Sequence, residues 1–297
     1  MAGIPYVREL KFAYGEADQV SPLIQRVIAN NPGPFTYLGT GVYVIGTDEV
    51  AVIDPGPMLD PHFDALKRAL AGKRVTHVFT THTHLDHSPL AHPLAEWAGC
   101  KVFGRPDPAG THAMASLEED GQEGFVPDVL VNDGDAFRGP GWTLEAITTP
   151  GHMSNHVCYA LREENALFCG DHIMGWSTTV ISPPDGNMGD YYRSLEKIRA
   201  RGFDTLWPTH GPPVREVTPF IDAYVVHRRA REEAIVARLK AGDRLISEMV
   251  KVIYKDVDVR LHAPAAHSVL AHMIHLVEAG RAVADGPLTL ATAYSAS

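Results

Sequence analysis

Three histidines and an aspartate fall within six consecutive positions, His82-Thr83-His84-Leu85-Asp86-His87, of a chain of 297 residues. Neutral imidazole and carboxylate are the side chains that borderline divalent metals such as zinc prefer. Alternate residues of an extended loop point the same way, so His82 and His84 can share one metal. Asp86 and His87 come after the chain turns and can face a second. Two metals about 3.5–4 Å apart can share a hydroxide, a nucleophile for carbonyl or phosphoryl centres. The competing reading is a polar surface loop with chance histidines, and three later fragments weigh against it.

Such ligands need elements that aim them. The apolar run Val75-Thr76-His77-Val78-Phe79-Thr80-Thr81 precedes the cluster and reads as a buried strand. A rigid strand aims the ligands, and the loop after it leaves room for a substrate. Thr149-Pro150-Gly151-His152 follows the strand-like Trp142–Thr148. Leu167-Phe168-Cys169-Gly170-Asp171 and Trp207-Pro208-Thr209-His210-Gly211 repeat the arrangement.

Taken in chain order, these fragments resemble the His-x-His-x-Asp-His motif and the later ligand loops of the metallo-β-lactamase superfamily. The resemblance implies an α+β fold, a four-layer αβ/βα sandwich with two sheets inside and helices outside. It implies His82, His84 and His152 around one metal, Asp86, His87 and His210 around another, and Asp171 bridging them. The implied cofactors are two zinc ions, with Asp86 also catalytic, orienting the hydroxide or shuttling its proton. In the family a strand ending in Asp-x-Gly supports the site. Asp54 of Asp54-Pro55-Gly56 is therefore expected either to support a ligating imidazole or to cap its turn. His77 is expected packed within its strand and His172 pointing away from Asp171; for His156 a place in the groove or behind the ligands is the less favoured reading.

Val42–Ile45 and Val50–Ile53 read as a hairpin. Asp60 to Leu70 reads as an amphipathic helix capped by Asp60, with Pro61 at its first turn. A further helix is expected from about Pro89 to Ala98, and strands at 101–103, 129–131, 144–148, 157–161 and 166–169. Pro106 to Pro127, rich in glycine, proline and acidic residues, reads as an irregular insertion. Tyr191 to Arg201 reads as a helix. Residues 1–219 are expected to form the catalytic domain.

From Phe220 the pattern becomes helical, at 220–240, 245–254 and 266–279, with a small β wing at 281–288. Three helices and a wing resemble the C-terminal winged-helix module of one subfamily, giving a second domain over 220–297. That subfamily includes a mitochondrial endoribonuclease and many bacterial hydrolases. Its pattern extends to Gly170-Asp171-His172-Ile173-Met174-Gly175, Thr178-Thr179 and His227-Arg228-Arg229.

Net charge is −10, which counts against a polyanionic substrate or an anionic membrane surface. From Ile221 onward ten Lys/Arg stand against nine Asp/Glu, so the module is nearly neutral. The first reading is therefore hydrolysis of a small-molecule carbonyl: ester, thioester, lactone or β-lactam. The alternative is a zinc endoribonuclease for single-stranded RNA, with Arg228, Arg229 and Arg231 touching the strand. A winged-helix DNA binder ranks third, because Leu270-Ala271-His272-Met273-Ile274-His275-Leu276 is too apolar for a recognition helix. His272 and His275 are read as packing or homodimer contacts. No run of about 18 apolar residues appears, so no membrane span is expected. Three scattered cysteines and an N-terminus without a signal pattern suggest a cytoplasmic protein.

Overall fold

Alternation along two short strands sets the layering. Val42 and Val44, with Val50 and Val52, face one apolar cluster. Tyr43 and Ile45, with Ala51 and Ile53, face another. Both faces of these strands are thus covered, as the near-continuous apolar runs demand.

The computed structural model describes residues 3–108, 121–256 and 258–297. Its strands and helices, in chain order, are β1 (Ala17–Ser21), β2 (Ile24–Ile28), β3 (Gly41–Ile45), β4 (Glu49–Ile53), α1 (Asp60–Ala69), β5 (Arg74–Phe79), α2 (Ala91–Ala98), β6 (Lys101–Gly104) and β7 (Val129–Leu130). There follow β8 (Ala136–Gly139), β9 (Trp142–Thr148), β10 (Val157–Leu161), β11 (Ala166–Gly170), α3 (Met188–Arg199) and β12 (Thr205–Pro208). The C-terminal elements are α4 (Val217–Lys240), α5 (Ile246–Ile253), α6 (His262–Glu278), β13 (Ala282–Ala284) and β14 (Tyr294–Ala296). One sheet runs β1 to β7 in sequence order, and a second runs β12-β11-β10-β9-β8.

Three cores separate four layers. Leu66, Leu90 and Leu94 pack α1 and α2 onto the first sheet. Phe79, Trp142, Tyr159 and Phe168 fill the space between the sheets. Leu195, Ile198, Phe220 and Tyr224 pack α3 and α4 onto Cys158, Leu167 and Cys169 of the second sheet. This is the αβ/βα sandwich. Helix α4 then continues into a fourth core, where Ile235 and Leu239 meet Met249, Leu270 and Met273. There α5, α6 and the β13–β14 hairpin form the winged helix.

Several local expectations need correction. Asp60 is the first residue of α1 rather than its cap; Leu59 precedes it, and no side chain caps the helix. Asp60 still places an acid in the first turn, where the helix dipole favours it. Strands β1, β2 and β8 were not expected. The wing's first strand pairs with Tyr294–Ala296, beyond the expected 281–288. The insertion expected at 106–127 lies largely outside the described residues. At its far end Gln122 N donates to Thr83 O, against the histidine-rich loop.

Candidate metal centre

The expected ligands all follow the C-terminal ends of strands. His82 to His87 come after β5, His152 after β9, Asp171 after β11 and His210 after β12. The loop after β5 is fixed by its own backbone. His87 N and Ser88 N both donate to His84 O, and Gly56 N donates to His87 O. The turn before His152 needs glycine: Gly151 has φ +144, and a Cβ there would lie 2.5 Å from Tyr191 Cα. Gly170, at φ +50, lets the chain pass within contact of His156 and Thr81 just before Asp171.

His82 Nε2 stands 3.0 Å from His84 Nδ1, which stands 3.1 Å from His152 Nε2. Tetrahedral zinc with bonds of about 2.0–2.1 Å separates its nitrogens by roughly 3.3 Å. The second group is as tight. Asp86 Oδ2 is 2.9 Å from His210 Nε2 and 3.3 Å from His87 Nε2. Asp171 Oδ1 lies 3.6 Å from His87 Nε2 and 3.5 Å from His210 Nε2. It also groups with His82 and His87, so that the three sets His82-His84-His152, His82-His87-Asp171 and Asp86-His87-His210 each hold their donor atoms within 4.8 Å. Asp171 therefore stands between the other two sets. Two atoms at the heart of the cluster, His87 Nε2 and Asp171 Oδ1, are buried with no hydrogen-bond partner among the described residues. Buried polar atoms are rarely left so, and a cation is the group these donors fit.

The two halves differ electrically. Burial first, and then the neighbouring imidazoles, hold His82 far below the usual histidine range. Burial likewise pushes His84 down to about 3 and lowers His152. These rings are neutral and offer lone pairs. Around Asp86 and Asp171, burial favours the protonated acids, yet the charges of His87 and His210 outweigh it and keep both carboxylates ionised. Burial presses His87 and His210 down, and the surrounding carboxylates more than reverse it. One half is thus an all-nitrogen cradle and the other a mixed nitrogen and carboxylate one.

Contacts behind the ligands fix the rings. Asp54, fully buried at φ 48, accepts from Thr81 N at 2.7 Å, Thr81 Oγ1 at 2.8 Å and Thr209 Oγ1 at 3.0 Å. Its Oδ2 lies 2.9 Å from His87 Nδ1. Of the two roles open in the sequence, Asp54 holds the imidazole. Val180 O lies 2.8 Å from His152 Nδ1, and Gly39 O lies 3.2 Å from His210 Nδ1. His156 sits behind the ligands, its Nε2 accepting from Asp171 N at 3.2 Å. His172 packs away from the centre against the Tyr191 ring, and His77 stacks on Phe79 within its strand. Sequence reasoning missed Asn155, whose amide donates to Thr83 Oγ1 at 2.8 Å and to Pro106 O. It also missed Thr209. Adjacency to His156 and His210 was the one available signal for either.

The helical arginines do not form one exposed face. Arg228 is buried and donates to Thr179 O. Arg231 lies 4.2 Å over the Tyr254 ring, and Arg229 is exposed. The strand-contact role expected for them has no common surface. His272 and His275 both turn to Glu232 Oε1, at 3.3 and 2.8 Å, so they pack within the module.

A four-layer sandwich with seven metal-type ligands on the strand ends defines a metallohydrolase scaffold. The chain belongs to the metallo-β-lactamase superfamily, whose model matches residues 37–210, and the β-lactamase-associated winged helix domain matches residues 246–287. It is 31% identical over 248 residues to a β-lactamase-like protein 2 homolog of Caenorhabditis elegans, covering 80% of this chain and 79% of that protein. It is 29% identical over 279 residues to an atrochrysone carboxyl ACP thioesterase of Aspergillus fumigatus, covering 87% and 83%. The fold matches a β-lactamase domain protein from Burkholderia ambifaria with a TM-score of 0.79, at 20% identity, covering 97% of this chain and 96% of that one. The chain is accordingly a hydrolase. No helix among the described residues is long and apolar enough to cross a membrane.

Proposed function

We propose that the chain is a dinuclear zinc hydrolase that cleaves the carbonyl bond of a small molecule, a thioester before a simple ester, lactone or β-lactam. The observation that carries this reading is the abutting pair of donor sets, His82-His84-His152 and Asp86-His87-His210, with Asp171 between them. Two relatives named as acyl-carrier-protein thioesterases support the choice of thioester. The net reaction adds water across the acyl–sulfur bond, giving a carboxylic acid and a free thiol.

When bound, paired zinc ions lower the pKa of water to about 7 and polarise a carbonyl oxygen. The chain does the rest. Asp86, kept ionised between His87 and His210, accepts a hydrogen bond from the attacking water and points its lone pair at the carbonyl carbon. Asp171, between the two donor sets, would supply the negative charge that two dications need in order to sit close. Asp54, Val180 and Gly39 hold three imidazoles by their far nitrogens, so each ring meets the centre already oriented. Residues 1–219 as the catalytic unit and 220–297 as its winged-helix partner belong to the same proposal. So does action in the cytoplasm, which the three free thiols support.

The test is hydrolysis of S-acyl-N-acetylcysteamine thioesters by protein stripped with chelator and reloaded with zinc. Activity that returns with about two zinc ions per chain, and is absent in Asp86→Ala, is the expected outcome. A reloaded protein that leaves thioesters, esters, lactones and β-lactams intact would overturn the reading.

A further inference from the structure

Beside the metal centre lies a second feature that the hydrolytic reading does not use. A cavity of about 330 Å³ opens between the segment 178–180 and helices α4 and α6. Its wall nearest the centre is Val180, the residue whose carbonyl oxygen holds His152. Phe35, Pro264 and Ala265 give it apolar sides. Arg228 and Arg231, one turn apart on α4, give it positive charge. No acidic residue lines it among the described residues.

That charge has no direct carboxylate partner among the described residues, although a buried cation is costly unless paired. Arg228 is 4% exposed and its Nε is buried without a hydrogen-bond partner among the described residues. Its other contacts are the Thr179 carbonyl and the face of Tyr191. The nearest acid along the helix, Glu232, is taken by His272, His275 and Arg281. The two arginines also bear on His227 at the cavity's edge. Desolvation first, and then both guanidinium charges, push that ring down to about 4. An acidic protein thus keeps a local positive pocket next to its catalytic centre.

We propose that this cavity receives a terminal carboxylate of the substrate, carried on a short apolar chain, with Arg231 and Arg228 as its counter-charges. The guanidinium fork matches a carboxylate in shape and charge. Arg228 is already engaged with Thr179 and Arg231 with the Tyr254 ring. Most of their N–H donors are left over for an anion, and the comparison of glutarate with inorganic phosphate decides between a carboxylate and a phosphate. The volume is at the small end of ligand pockets, which fits an acyl chain of a few carbons. The substrate class is therefore an ω-carboxyacyl thioester. This rests on the hydrolytic reading for its chemistry but not for its binding.

The experiment compares S-glutaryl-N-acetylcysteamine with its ω-methyl ester, and separately titrates glutarate, glutaramide and inorganic phosphate into Asp86→Ala protein by calorimetry. Parent protein is expected to prefer the acid by about tenfold or more in kcat/KM, mainly through KM, as one charge-assisted hydrogen bond allows. Arg231→Gln should abolish most of that preference. Arg229→Gln, which removes the same charge from an exposed position off the cavity, should keep it. Glutarate should bind and glutaramide should not. Equal use of acid and ester, a preference that survives Arg231→Gln, or binding of phosphate in place of glutarate would overturn the proposal. If neither thioester is cleaved, the ω-carboxyacyl thioester is not the substrate, the hydrolytic reading is left to its own wider panel of carbonyl substrates, and the glutarate titration still decides the cavity.

Discussion

Replacing Asp54 with asparagine changes one charge and almost no volume, so its consequence can be worked from the geometry. Four donors converge on this carboxylate: Thr81 N, Thr81 Oγ1, Thr209 Oγ1 and His87 Nδ1, at 2.7, 2.8, 3.0 and 2.9 Å. Asparagine has one oxygen and two N–H donors. With its oxygen toward His87, the amide nitrogen faces Thr81 N–H. With its oxygen toward Thr81 N, the amide faces the His87 ring. Either way a buried donor loses its acceptor, at a cost of about 1–3 kcal/mol. His87 also loses the carboxylate that fixes which ring nitrogen carries the proton. Outer contacts of this kind are worth about 10–100-fold in metal affinity, or about 1.4–2.7 kcal/mol. The two routes give the same size of effect. The loss should fall on the set that contains Asp86, His87 and His210.

The assay is a chelator titration of zinc-loaded parent and variant, with retained zinc counted by mass spectrometry. Circular dichroism checks the fold. Parent is expected to release its zinc in two steps. Asp54→Asn should release one equivalent at about 10–100-fold lower chelator strength and hold the other nearly as before. Superimposed curves for a well-folded variant would refute the reasoning and reduce Asp54 to a residue that caps its turn.

Asp86→Ala should retain about one zinc per chain and lose activity by at least 100-fold, the scale of a removed orienting group; full turnover with two ions would sink the assigned role. Burial pushes His62 down to about 4, against the opposing contact with Pro55 O. The unfolded ring titrates near 6.5, so between these values the unfolded chain binds the extra proton. The stability this ring contributes is whole above pH about 6.5 and is lost as pH falls toward 4, by about 3 kcal/mol. Urea melts of parent and His62→Gln should show their gap closing by up to that amount from pH 7 to 4, and a constant gap would count against it. Gly151→Ala forces a Cβ to 2.5 Å from Tyr191 Cα at a φ of +144. It should cost about 1–3 kcal/mol in stability and loosen His152, read as a lower urea midpoint together with weaker zinc retention.

The donor-rich loop 82–87 was legible in the sequence because its side chains stand a few residues apart at a strand end, whereas His152, Asp171 and His210, which the fold brings to the same place, were legible only through the resemblance to the family. The apolar strands flanking them were legible for the same local reason. What lies behind the ligands was not. Asp54 acts on Thr81 and His87 a few dozen residues on, and on Thr209 a further hundred and more residues away. No periodicity records such a meeting. Strands β1 and β2 read Ala-Asp-Gln-Val-Ser and Ile-Gln-Arg-Val-Ile; their polar residues break the apolar pattern although Arg26 is buried, and the sheet beside them makes them strands.

The arginines of α4 show most clearly where local reading stops. Three cations within four residues look like a solvated basic face, and on an isolated helix they would be one. Here the helix leaves the core around Phe220 and Tyr224 and enters the core around Ile235 and Leu239. A helix that packs at both ends against different partners can bury different sides along its length. Its middle turn is covered as well, by Thr179 on one side and by α6 on the other. Arg228 and Arg231 lie in that turn and line a cavity, Arg228 buried and Arg231 partly exposed, while Arg229 faces solvent. Whether they bind a polyanion from outside or a single carboxylate from within is decided by that packing, which the count of charges along the chain does not contain.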